Sequence, residues 1–256
     1  MNHTRRNFLK FAGITAAGLC VAGAGGVMAA GKGAIFADGP KDLKAKRWGM
    51  VIDTKKVGTK EAIEVLAKAC HQAHNVPSIP TKQDVKWIWA ASYEEAFDQP
   101  NNYMDENLEK REFPLLCNHC TNAPCVRVCP TQATYKRPDG IVAMDYHRCI
   151  GCRYCMAGCP FGARSFNFME PRLYLDAAKL NKEFPTRMRG VVEKCNFCVE
   201  RLAVGKAPAC VEASNGAMVY GDLSDSNSEI RKILREQYTI RRKPSLGTEP
   251  SVYYII

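Results

Sequence analysis

Cys117-Asn-His-Cys120-Thr-Asn-Ala-Pro-Cys125-Val-Arg-Val-Cys129-Pro130 and Cys149-Ile-Gly-Cys152-Arg-Tyr-Cys155-Met-Ala-Gly-Cys159-Pro160 decide how this chain folds. The second stretch reads Cys-x2-Cys-x2-Cys-x3-Cys-Pro, and the first differs only in having four residues before its third cysteine. A cubane [4Fe–4S] cluster needs one thiolate per iron, and Cys-x2-Cys-x2-Cys wraps a loop around three corners. The fourth cysteine, three residues on, points away and reaches a neighbouring cluster. The proline after it keeps the local turn from running on as helix. The spacing therefore predicts two sites with exchanged ligands. Cys117, Cys120 and Cys125 share one with Cys159; Cys149, Cys152 and Cys155 share the other with Cys129.

Cys195-x2-Cys198-x11-Cys210 supplies only three corners of a third site. Ser214 and Asn215 stand where a crossing cysteine and its proline would be. A complete upstream block ending at Cys70 would need cysteines at 60, 63 and 66, where the chain has Lys60, Ile63 and Leu66. Cys70 thus occupies the crossing position of a lost block and is expected to complete the third site. The four absent cysteines would together have held a fourth cluster, so the losses are mutually consistent. Two alternatives remain open: Cys70 as a buried structural thiol beside a three-iron [3Fe–4S] cluster, or Ser214 as an oxygen ligand. Zinc and a disulfide scaffold are the other uses of so many cysteines, but Cys-x2-Cys runs ending in Cys-Pro do not resemble a disulfide framework. His119 and Phe197, inside Cys-x2-Cys pairs, read as spacers shielding clusters. His71, His74 and His147 read as surface or packing residues.

The chain has 256 residues, 13 cysteines and a formal charge of +10. Thr4-Arg5-Arg6-Asn7-Phe8-Leu9-Lys10 precedes an apolar, Gly/Ala-rich stretch from Phe11 to Ala30, which reads as a twin-arginine (Tat) export signal over residues 1–37. Cys20 falls inside it. Removing that segment takes away Arg5, Arg6, Lys10 and Lys32 and no acid, so +10 becomes +6. Three clusters with their thiolates would add about −6. The basic excess thus reads as compensation for buried anions, not as a nucleic-acid footprint. Arg241-Arg242-Lys243 reads as a solvated charge run with a docking patch as its alternative.

Trp48–Asp53 reads as a strand and Lys60–His74 as a helix with Ile63, Leu66, Ala67 and Cys70 on one face. Residues 76–113 read as an insertion with strand and helix, broken at Pro100. A hairpin is expected from 133 to 145 around Arg137-Pro-Asp-Gly140. Ser226-x-x-Glu229 reads as the capping box of a helix carrying Ile230, Ile233, Leu234 and Tyr238. The apolar end, Val252–Ile256, reads as a strand packing on this protein or on a partner. Repeated loop–strand units suggest an α+β fold of two pseudo-symmetric bacterial-ferredoxin-like cluster modules with insertions, irregular and loop-rich. The expected domain is 38–256, with a complete module at 116–168 and a degenerate one at 48–77 plus 190–223.

Trp48-Gly-Met-Val-Ile-Asp53, Asn75-Val-Pro77, Cys117-Asn-His-Cys120, Cys149-Ile-Gly-Cys-Arg-Tyr-Cys155 and Lys194-Cys-Asn-Phe-Cys198 resemble the four-cluster ferredoxin-like subunits of membrane-bound oxidoreductases. These include the dimethyl sulfoxide, polysulfide and formate enzymes. The likeness runs from about Trp48 to the end, and the family's pairing of first block with last agrees with the crossing of Cys70. With its export signal and degenerate first block, the chain is most similar to the periplasmic iron–sulfur subunits of Dsr transmembrane complexes, linked to dissimilatory sulfite reductase. That resemblance implies a non-catalytic subunit of a hetero-oligomeric membrane complex. It would carry three [4Fe–4S] clusters between a multihaem cytochrome c and an integral, quinone-interacting membrane subunit on the periplasmic face. A molybdopterin oxidoreductase of the dimethyl sulfoxide or polysulfide type, or a catalytic iron–sulfur reductase, are the alternatives. No nucleic-acid partner is expected.

Overall fold

Strand β1 (Trp48–Asp53) is buried on both faces, as expected of an inner strand. In this computed structural model residues 43–97 and 104–256 are described; residues 1–37, expected to be an export signal and including Cys20, and Pro100 lie outside them. Met50 and Ile52 face the main core, while Val51 faces a small second core with Leu223, Ile230 and Ile255. The strand order of the sheet is β8–β1–β10–β9. Here β8 is Met218–Asp222, β9 Thr239–Ile240 and β10 Val252–Ile255. β10 runs parallel to β1 and β8 antiparallel to it. The apolar end of the chain therefore packs on this protein. Three antiparallel pairs complete the strands: β2 (Ile88–Ala91) with β3 (Phe113–Leu116), β4 (Thr134–Lys136) with β5 (Val142–Met144), and β6 (Ser165–Phe166) with β7 (Val192–Glu193).

Helix α1 spans Lys60–His74, the limits its pattern predicts. Thr59 caps it by accepting from the Ala62 amide at 3.3 Å, and Asn75 ends it in the left-handed conformation at φ 50°. Ile63, Leu66 and Cys70 form its buried stripe. Burying each aliphatic side chain contributes roughly 1.5–3 kcal/mol. Ile63 and Leu66 stand at two of the positions where the lost block would have carried cysteine. A continuous apolar helix face has replaced the loop that a Cys-x2-Cys-x2-Cys run needs. The short helix α2 (Ala209–Ala213) packs against α1 and ends at Ser214. The Ser214 hydroxyl donates to the Val211 carbonyl at 2.7 Å and accepts from the Met218 amide at 3.0 Å. Both of its hydrogen-bonding functions are thus engaged by backbone, which argues against Ser214 as a ligand.

The capping box expected at Ser226 does not form. Helix α3 begins at Glu229 and ends at Glu236, with Ser228 at its N-cap making no side-chain cap bond. The Ser228 hydroxyl instead donates to the carbonyls of Asp222 and Asp225, both at 2.7 Å, which fixes the turn after β8. Ile230 is buried, but Tyr238 lies beyond the helix and is exposed.

Arg241-Arg242-Lys243 is not a uniformly solvated run. Arg242 is buried, its Nε donating to the Ala96 carbonyl at 2.8 Å and its Nη1 to the Phe161 carbonyl at 3.4 Å. No helix among the described residues is long and apolar enough to cross a membrane.

Candidate iron–sulfur centres

All twelve cysteines among the described residues are free thiols, and they gather as three sets of four. Cys117 follows β3 directly, Cys120 lies in the next turn, and Cys125 is carried by a single helical turn, Pro124–Arg127. Burial pushes the Cys120 thiol up to about 12, with Cys117, Cys125 and Cys159 adding to the rise. Cys159 is likewise raised by burial, then by Cys117 and Cys125. These four are the predicted first set. Cys129, Cys149, Cys152 and Cys155 line one cavity with Met144 and Val192, as the second set requires. Burial raises Cys70 well above the ordinary thiol value, and Cys195, Cys210 and Cys198 raise it further. Cys195 is pushed up to about 12 and Cys210 to about 11, burial being the main cause in both. Such thiols resist ionisation alone and suit a site where iron displaces the proton.

Cys117 of the first set acts on Cys195 of the third, and Cys125 of the first acts on Cys155 of the second. The Cys117 set therefore adjoins both of the others. The exposed Cys152 and half-buried Cys129 and Cys149 bring the second set to the surface, whereas Cys70, Cys195, Cys198 and Cys210 are all buried.

Three observations fit [4Fe–4S] clusters to these sets. The donors are four thiolate-forming sulfurs each, the coordination such a cluster needs. The residue before the second cysteine of each block is left-handed: His119 (φ 43°), Gly151 (φ 71°) and Phe197 (φ 61°). Left-handed residues turn successive N–H groups into the concavities that bind anions, iron–sulfur groups included. Finally, Arg164 Nη2 and His119 Nε2 are buried donors with no close hydrogen-bond partner among the described residues, and they are turned toward cluster thiols, His119 toward Cys117 and Arg164 toward Cys125 and Cys155. Gly151 also leaves no room for a side chain, since a Cβ there would lie 2.3 Å from the Gly190 carbonyl oxygen. Gly151→Ala is expected to cost about 1–3 kcal/mol and to deplete the second set of iron, read by urea unfolding and iron content of the same sample.

His119 is more than a spacer. Its Nδ1 accepts the Val142 amide at 3.1 Å, so in the neutral ring the proton sits on Nε2. Burial would raise Cys117, but His119 and Lys194 outweigh it and hold that thiol well below the ordinary value. Phe197 packs edge-on to His119 at 5.2 Å, screening the space between the first and third sets. His74 is fully buried, its Nδ1 2.8 Å from the Cys70 carbonyl and 3.7 Å from the Cys70 sulfur, its Nε2 2.6 Å from Glu200. His74, Cys198 and Glu200 bring ligand atoms within 4.8 Å of one another, but Cys198 already belongs to the third set. Arg164, Lys194 and Arg242 are not singled out as site residues by spacing. Lys194 has one signal, its place directly before Cys195.

Two 4Fe-4S dicluster domain families match the chain, over residues 109–172 and 141–213. Among curated relatives, the Hdr-like menaquinol oxidoreductase iron-sulfur subunit 1 of Archaeoglobus fulgidus is 42% identical over 98% of this chain and 97% of its own length. The menaquinone reductase iron-sulfur cluster-binding subunit of Nitratidesulfovibrio vulgaris is 36% identical over 84% of this chain and 90% of its own. The B component of polysulfide reductase from Wolinella succinogenes is 34% identical over 82% and 95%. The chain belongs to the family of iron–sulfur subunits of membrane oxidoreductases. Its class is thus an electron-transfer subunit of a larger complex, built on loop-rich ferredoxin-like 4Fe-4S domains.

Proposed function

We propose that this chain carries three [4Fe–4S] clusters as a one-electron wire in an exported membrane complex. The observation that carries the reading is the gathering of twelve cysteines into three four-thiol sets, the Cys117 set adjoining both of the others; we take it as the middle of the wire. Such clusters supply reversible one-electron transfer when bound. The chain's own residues set the rest. Cys117, Cys120, Cys125 and Cys159 would hold the central cluster. Cys149, Cys152, Cys155 and Cys129 would hold the surface one, and Cys195, Cys198, Cys210 and Cys70 the buried one. Phe197 and Trp48, 6.3 Å apart between ring centres, exclude water beside the third set. The repeated left-handed turns and crossed ligands support two pseudo-symmetric modules, 116–168 and 48–77 plus 190–223, within a domain spanning 38–256.

A menaquinol- or menaquinone-linked membrane subunit at one end is suggested by the relatives' names. A multihaem cytochrome c on the periplasmic face at the other end, in dissimilatory sulfur metabolism, rests on the resemblance to Dsr-complex subunits. Residues 1–37 would be the Tat signal, as Arg5-Arg6 ahead of an acid-free Gly/Ala stretch supports; N-terminal sequencing of the mature protein tests this. Iron and acid-labile sulfide analysis with electron paramagnetic resonance (EPR) tests the wire. About twelve irons are expected; about eight would leave the Cys70 set empty, and about eleven would favour a three-iron third cluster. The isolated chain should turn over neither sulfite nor polysulfide, and turnover would favour a catalytic reductase instead. Relatives named for dimethyl sulfoxide and polysulfide reduction favour a second reading, a molybdopterin-enzyme subunit with the same wire. Co-purification with a molybdopterin subunit rather than a cytochrome would decide for it.

A further inference from the structure

Among the described residues, three buried cations have no partnering carboxylate at hydrogen-bond distance, and all three face the same thiol set. Lys194 is 0% exposed, and its ammonium donates to the carbonyls of Val142 and Cys195. Arg164 is 5% exposed; its Nη1 donates to Thr134 Oγ1 at 3.0 Å, and the guanidinium is turned toward the thiols of Cys125 and Cys155. Arg242 is 2% exposed and is tied to the Phe161 carbonyl, two residues past Cys159. Their fields converge from different sides: Lys194 acts on Cys117, Arg164 on Cys125 and Cys117, and Arg242 on Cys159 and Cys120. The neighbouring sets are served less well. Of the three cations, Lys194 also reaches Cys195 and Arg164 also reaches Cys155. The third set faces Glu200, which opposes added negative charge at Cys70 and Cys198, whereas Arg201, at Cys210, and Lys194, at Cys195, favour it there.

Burying an unpaired cation is unfavourable unless an anion of the same site compensates it. Three of them around one thiol set imply an anion there of more than one charge. Reduction of a cluster adds one more negative charge, and cations in a low-dielectric, water-excluded site stabilise it more than they would in water. Burial alone would make the middle cluster harder to reduce than the surface one; the three cations oppose that effect. We infer that Lys194, Arg164 and Arg242 make the cluster on Cys117, Cys120, Cys125 and Cys159 the first of the three to be reduced. They are positioning charges that set a potential, and they ligate nothing. The middle of the wire is then where a single electron rests. This inference rests on the ligand sets proposed above.

The test is an EPR-monitored redox titration of the full chain loaded with iron and sulfide, with dithionite as the one-electron donor. Each cluster takes up one electron; no bond breaks and no proton moves. Cys120→Ser identifies the middle cluster's signal, since Cys120 belongs to that set alone. That signal should have the highest midpoint. Arg242→Met should lower it, cutting the reduced-to-oxidised ratio at the original midpoint at least tenfold, about 59 mV for one electron. Arg242→Lys, which keeps the charge, should restore most of the ratio. If Arg242→Met fails to load iron, Arg164→Gln and Arg164→Lys serve with the same criteria. The inference is overturned if the first signal to appear is the one altered by Cys70→Ser or Cys152→Ser. It is overturned equally if the charge-removing variants load fully and leave the midpoint in place. An unaltered chain holding well under twelve irons would instead sink the ligand assignment itself.

Discussion

Cys70→Ser is expected to lower the iron content from about twelve to about eight atoms and to erase or reshape one EPR signal, leaving two unchanged. The expectation follows from place as much as from spacing. Cys70 sits on the buried stripe of α1, 3% exposed, and its sulfur faces Cys195, Cys210 and Cys198. Serine would present a poorly ionised hydroxyl where the site needs an anionic sulfur. Water cannot reach in to replace it, because Ile63 and Leu66 on the same face are 1% exposed. The first and second sets draw no ligand from α1, so their signals should hold. Three unchanged spectra would mean that Cys70 is only a packed thiol.

Arg187→Met should destabilise the protein by about 3–5 kcal/mol, because it strands a buried carboxylate. The Arg187 guanidinium lies 2.7 Å from Glu193, with the two side chains 1% and 0% exposed. It also donates to the backbone carbonyls of His74, Pro185 and Asn75, tying the C-terminal end of α1 to the segment before β7. Glu193 in turn accepts from Trp87 Nε1 at 3.1 Å and Asn167 Nδ2 at 2.6 Å. Among the described residues, removing the cation leaves those two donors as the carboxylate's compensation. Urea unfolding of the iron-loaded protein measures the loss, and the double variant Arg187→Met/Glu193→Gln should recover part of it. A loss below about 1 kcal/mol would show that water or rearrangement replaces the pair.

Local structure was legible where a residue's own chemistry dictates it. Thr59 and Asn75 bracket α1 at the limits its apolar stripe predicts, and the hairpin around Arg137-Pro-Asp-Gly140 pairs Thr134 with Met144. Cysteine spacing brought Cys70 to Cys195 across more than a hundred residues, because a cluster's ligand count is a closed rule. What spacing could not express was charge burial. Arg242 looks like its neighbours Arg241 and Lys243 in sequence, and only its tertiary contacts, the Ala96 and Phe161 carbonyls and the Phe161 ring, put it inside. The misplaced cap has a similar cause. Ser226 and Ser228 both suit an N-cap, and the tertiary contacts of the turn after β8, unseen in sequence, decide between them. The parallel pairing of β1 with β10 was equally hidden, since an apolar end fits a partner's edge as well as its own sheet.

That pairing bears on when the protein can finish assembling. Met50 sits beside Val252, so an inner strand from the start of the described fold waits for residues about two hundred positions later. Loop closure over that distance comes late in any folding sequence. Every cysteine loop leaves the ribosome before β10 does. One side of the sheet is therefore expected to stay open until the last strand pairs, after all the cysteine loops have been made, like a latch shut last.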